Sequence, residues 1–157
     1  MVKFTIYKPK GMKRMGVEDK GIEKIYSVYV SDFHLEMILI PFIKNKIDKN
    51  EDVIIQTEYD LENTLETLLP KINLKEEDKK QILNLGWNHK NNEVKIKNDS
   101  NIIVIGNKEY INDVNKKINQ ENISGATVVD CYKADQVKED INNIINNYNK
   151  GLTTNIL

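Results

Sequence analysis

Ile102-Ile103-Val104-Ile105-Gly106-Asn107 is the stretch that decides the fold. Four β-branched residues in a row leave no polar side for water, so they predict a strand buried on both faces, as inside a parallel sheet. Gly106 ends the run, and the Asn107 side chain can accept the first free N–H groups of a following helix. That helix runs through Ile111, Val114 and Ile118, whose spacing of three and then four gives one apolar face.

The same strand-then-helix unit recurs on either side. Downstream, Ala126 to Val129 predicts another central strand, ending at Asp130. A helix over about Ala134 to Asn149 follows, with Val137, Ile141, Ile144, Ile145 and Tyr148 on one stripe. Gly151 is expected to stop it and leave residues 151–157 as a flexible tail. Upstream, Lys24 to Val30 (KIYSVYV) predicts a strand, and Ser31 and Asp32 supply helix-capping oxygens. Phe33 to Lys49 is apolar on nearly every face up to Ile43 and predicts a buried helix, which Pro41 should kink or divide. Asp52 to Thr57 predicts a third central strand. Asp60 then caps a helix carrying Leu61, Leu65, Leu68 and Leu69, closed by Pro70.

A more charged helix, Lys75 to Leu85, ends at Gly86, and Trp87 reads as a core plug. Two weaker strands complete the pattern, Val2 to Tyr7 and Glu93 to Lys97. The second reads as an exposed edge that needs either a homodimer partner or cover from the loop at 8–23. The chain of 157 residues is therefore expected to be one α/β domain, 1–157. It is a Rossmann-like three-layer sandwich, with a mainly parallel sheet of five to six strands and helices on both faces.

Composition removes several classes of function. A formal net charge of -1 argues against general nucleic-acid binding, although Lys3 to Lys24 holds seven basic residues against three acids and makes 8–23 a long basic loop. The longest apolar run, Met37 to Ile43, is too short to cross a membrane, which takes roughly 20 residues. No signal-peptide pattern opens the chain, and Cys131 is the single cysteine, so the chain reads as cytoplasmic. Abundant Asn, Lys and Ile fit an AT-rich, bacterial type of genome, and Asn is discounted as a functional signal for that reason.

In open parallel sheets ligands bind beyond the carboxyl ends of the strands. The candidate ligand-binding residues are accordingly Asp32, His34, Glu58, Asp130 and Lys108. Carboxylates there suit a divalent ion or proton transfer. Equally, Ser31, Asp32, Asp60 and Asn107 stand where helices need caps, and Asp130 is the residue that capping explains least. His34 begins an apolar helix and His89 lies in a polar loop, so the two histidines form no zinc spacing. Cys131 lacks a CxxC partner, and Gly106-Asn107-Lys108 is only a faint phosphate cradle. No motif points to a cofactor, and none specifies a metal site.

Residues 24–72, with the strand KIYSVYV, the segment PFIKNKIDKNEDV, the strand VIIQT and the helix DLENTLETLL, resemble the sensory domain of methanogen and methylotroph regulators. That domain is a RecA-like relative without a phosphate loop. The resemblance implies ligand sensing or signalling rather than catalysis, and transfers no individual binding residue. The function expected is a non-catalytic sensory, regulatory or interaction domain that binds a small ligand or a protein partner. The alternative is a small divalent-metal-dependent enzyme acting on an anionic or nucleotide-like substrate.

Overall fold

In the computed structural model, which describes residues 2–7, 21–88 and 96–156, the Ile102–Ile105 run lies inside a six-stranded sheet. Its strand, β4 (Asn101–Ile105), has every residue buried. It pairs in parallel with β3 (Val53–Thr57) on one side and β5 (Thr127–Lys133) on the other. β5 pairs in parallel with β2 (Glu23–Tyr29), and β2 with β6 (Lys150–Ile156). β1 (Val2–Tyr7) closes the far side antiparallel to β6, giving the order β1-β6-β2-β5-β4-β3.

Strand side chains alternate between two layers, as the period of two requires. Ile25, Tyr29, Ile55, Ile103, Ile105 and Val129 pack against α1 (Asp32–Asp48), α2 (Glu62–Leu68) and α3 (Glu76–Leu83). Tyr26, Ile102, Val104, Val128 and Tyr132 face α4 (Lys108–Gln120), α5 (Ala134–Val137) and α6 (Ile141–Ile145) on the opposite side. Each fully buried Ile, Leu or Val contributes about 1.5–3 kcal/mol, so the two apolar layers hold the sandwich together.

Local signals explain the helix starts. Ser31 Oγ accepts the His34 N–H at 3.1 Å, and Asn107 Oδ1 accepts the Tyr110 N–H at 2.8 Å. Ser31→Ala should therefore lower stability by about 1 kcal/mol. A thermal melt should show a drop of roughly 2–4 °C; an unchanged melt would mean that this cap contributes nothing. Asp60 is not the expected cap of α2, whose N-cap is Leu61 with no side-chain cap bond, although Asp60 Oδ1 accepts the Glu62 N–H at 3.2 Å. Trp87 is buried and donates its Nε1–H to the Ile82 carbonyl, as befits a plug.

Several expectations are corrected. The flexible tail expected at 151–157 is, over 151–156, a strand, because Lys150–Ile156 form β6 between β1 and β2. The uncharged run 152–156 holds three β-branched residues, Thr153, Thr154 and Ile156, which suit a strand, and Ser27 Oγ donates to the Leu152 carbonyl at 2.9 Å. Asp52 to Thr57 is not central, since β3 is the outermost described strand on its side.

Pro41 does not divide α1, which runs unbroken from Asp32 to Asp48. Burial of Ile38, Leu39, Ile40, Phe42 and Ile43 around it outweighs one missing helical hydrogen bond. The single helix expected over 134–149 is two short ones, α5 and α6, separated by a turn at 138–140, and the asparagines at 146 and 147, weak helix formers, follow the end of α6. The loop at 8–23 ends before Glu23, where β2 begins. Residues 8–20, His89 and most of the strand expected at 93–97 lie outside the described residues.

Candidate functional site

Asp130 lies in the middle of β5 rather than at a strand end, and its side chain turns into the α4–α6 layer. It is fully buried, and a buried carboxylate must be paired and hydrogen-bonded to be tolerated. Lys24 Nζ, from β2, is 2.7 Å from Asp130 Oδ2. The Tyr148 hydroxyl donates to the same oxygen at 2.6 Å. Asn115 Nδ2, from α4, lies 3.1 Å from both carboxylate oxygens, and Asn115 Oδ1 accepts from Lys24 Nζ.

The Tyr132 and Tyr148 hydroxyls also touch. Each carries one proton, and Tyr148 gives its own to Asp130, so Tyr132 is the donor of that pair. Burial and the charge of Asp130 push the Tyr148 hydroxyl far above the ordinary tyrosine range. Burial raises Tyr132 to about 12, with its bond to Tyr148 acting the other way. Neither phenol is a base near neutral pH. Lys24 Nζ also sits 5.2 Å from the centre of the Tyr148 ring, a cation–π contact that fixes the ammonium over the sheet.

Above this network is a cavity of about 380 Å³ between α4 and α6. Its floor is Lys24, Asp130, Tyr132 and Tyr148. Asn112 and Asn115 form one wall, and Asn143, Ile144 and Asn147 form the other. Lys108 and Asp140 also line it, joined as an ion pair across the gap between the two helices.

The candidate residues thus separate into two groups. Asp130 and Lys108 share the cavity. Asp32, His34 and Glu58 do not line it. Asp32 is exposed in the first turn of α1, and His34 Nδ1 accepts the Val30 N–H at 3.0 Å. Glu58 Oε1 accepts the Asn107 N–H at 2.9 Å, locking the end of β3 to the start of α4.

The phosphate-cradle expectation at Gly106-Asn107-Lys108 is corrected by the same contacts. The Asn107 and Tyr110 N–H groups are already bonded, and a Cβ on Gly106 would lie 2.5 Å from the Tyr110 ring. Gly106 is there for the approach of Tyr110, not for a phosphate. Cys131 is fully buried and its thiol is pushed well up by burial, so it is no nucleophile. Among the described residues no group of three or more His, Cys, Asp or Glu is placed to hold a metal ion.

Lys24, Asn112, Asn115, Asp140, Asn143, Asn147 and Tyr148 escaped the sequence reading. Asn115 was legible, being four residues after Ile111 and three before Ile118, inside the apolar stripe of α4. A polar residue on a buried stripe needs a polar partner, and Asp130 is that partner. No family model matches the chain, and neither a curated protein nor a solved structure matches it. No helix among the described residues is long and apolar enough to cross a membrane.

Proposed function

We propose that this chain is a non-catalytic binding domain that takes a small polar ligand in the α4–α6 cavity and serves a sensory or regulatory role. The observation that carries this is the cavity itself. It is concave, walled by asparagine amides and floored by a buried network whose every charge is already matched. A site for chemistry needs a group poised to take or give a proton, or an open position on a metal. Here the carboxylate is saturated and both tyrosines are raised, which favours holding a ligand over converting one. The resemblance of residues 24–72 to a sensory domain points to the same class of role, although of the cavity it includes only Lys24.

The test is a thermal-shift screen against small polar metabolites, run on wild type and on Asn143→Trp, whose indole should fill the cavity from α6. A ligand at one hundred times its Kd stabilises its protein by about 2.7 kcal/mol. Such a ligand should raise the wild-type melting temperature by several degrees, leave the variant unmoved, and be recovered unchanged by NMR after prolonged incubation. An equal shift in both proteins would place the ligand elsewhere, and conversion of the ligand would make the domain an enzyme.

A further inference from the structure

We propose that the ligand of the α4–α6 cavity is an uncharged polyol about the size of a monosaccharide, an inference that rests on reading this cavity as a binding site. The first ground is charge. Four charged residues line the cavity, Lys24, Lys108, Asp130 and Asp140, and they balance as two cations against two anions. Each lysine is held by an aspartate, Lys24 by Asp130 at 2.7 Å and Lys108 by Asp140. An anion attracted to Lys108 would have to displace Asp140 and then remain beside its carboxylate. A cation would meet the same obstacle at the lysines. A phosphorylated or nucleotide-like ligand would therefore find no unshared positive charge, whereas phosphate sites present free cations.

The second ground is the hydrogen-bonding character of what remains. No hydrogen bond to another described residue engages the side-chain amides of Asn112 and Asn143. An amide donates and accepts at once, and so does a hydroxyl, which makes the two natural complements. Lys24 Nζ has three protons and bonds to Asp130 and Asn115, leaving one N–H for a ligand oxygen. Ile144 and the edges of Tyr132 and Tyr148 give the cavity an apolar component that suits the C–H face of a sugar ring. A volume of about 380 Å³ is at the small end of ligand sites, which span about 300–1,000 Å³.

Isothermal titration decides this with D-glucose, D-ribose and myo-inositol as uncharged probes, ribose 5-phosphate and inorganic phosphate as anions, and spermidine as a cation. The proteins are wild type, Asn112→Ala/Asn143→Ala and Asn143→Trp. At least one uncharged probe should bind saturably, with little change in affinity between low and high salt, because no unpaired charge is engaged. Its affinity should fall tenfold or more in the double alanine variant and be lost in Asn143→Trp. If only phosphate-bearing or cationic probes bind, and Asn143→Trp abolishes that binding, the cavity is a site but the polyol assignment is wrong. If no probe binds, or binding survives in Asn143→Trp, both the assignment and the reading of the cavity fail. Affinity for a polyol that drops steeply with salt would also overturn the charge argument.

Discussion

Replacing Asp130 with alanine should lower the unfolding free energy by about 3 kcal/mol, a large share of the roughly 5–15 kcal/mol a domain has. The carboxylate is fully buried and holds three partners at once, Lys24, Asn115 and Tyr148. Its loss leaves the Tyr148 hydroxyl short of an acceptor in a buried position, and an unpaired buried group costs about 1–3 kcal/mol. Lys24 is part-exposed and can turn toward water, so the loss should sit at the low end for a broken buried pair. A thermal melt should fall by roughly 6–12 °C. Asp130→Asn keeps the shape and one acceptor oxygen, so it should cost distinctly less. Equal losses in the two variants, or none in either, would mean that the network does not support the fold.

Glu36→Gln should act in the opposite direction, and only above about pH 5. Glu36 lies on α1 with its side chain buried against the α2 layer, and its Oε2 has no hydrogen-bond partner. Burial raises its carboxyl to about 7, the Thr64 hydroxyl pulls it back, and Asp32 adds to the rise. Because the folded-state value is above the unfolded one, ionisation opposes folding. The wild type keeps full stability from this group below about pH 4.5 and loses it as pH rises through about 7. That span corresponds to about 3 kcal/mol.

Gln has the same shape and never ionises, though its amide also lacks a partner. A gain of about 2 kcal/mol at pH 8 is expected, with the two proteins alike at pH 4. Urea denaturation at the two pH values measures it. Parallel pH profiles for wild type and variant would show that Glu36 titrates alike in the folded and unfolded states and that its burial does not oppose folding.

Much of the architecture was legible because the local signals agreed with one another. The Ile102–Ile105 run, the caps Ser31 and Asn107 and the stripe Ile111-Val114-Ile118 each predicted what the structure contains. Strand order was not legible. Nothing local distinguishes β3, which ends the sheet, from the central strands, because VIIQT is as apolar as they are. β6 was hidden because Gly151 resembles a helix stop, while its actual neighbours are Tyr26 in β2 and Tyr7 in β1.

The site was only half legible. Asp130 stood out as a carboxylate that no cap explained, and Lys108 as a cation at a helix start. The rule that ligands gather at strand ends also drew in Asp32 and His34, which stand at the start of α1, and Glu58, which bonds to the start of α4. Tyr148 reads from the sequence as part of an apolar stripe, but its hydroxyl bonds to Asp130 and matters as much as its buried ring. Abundant asparagine reads as a mark of genome composition, yet Asn112, Asn115, Asn143 and Asn147 line the cavity.

The central claim is that ligand binds between α4 and α6. It is tested most directly by mapping amide chemical-shift changes as a saturating hit from the metabolite screen is titrated into the labelled protein. The account predicts changes clustered at Lys24, at 108–115 of α4, at Asp130–Tyr132 of β5 and at 140–148. Changes clustered instead around Ser31–His34 and Glu58, with those segments silent, would contradict it.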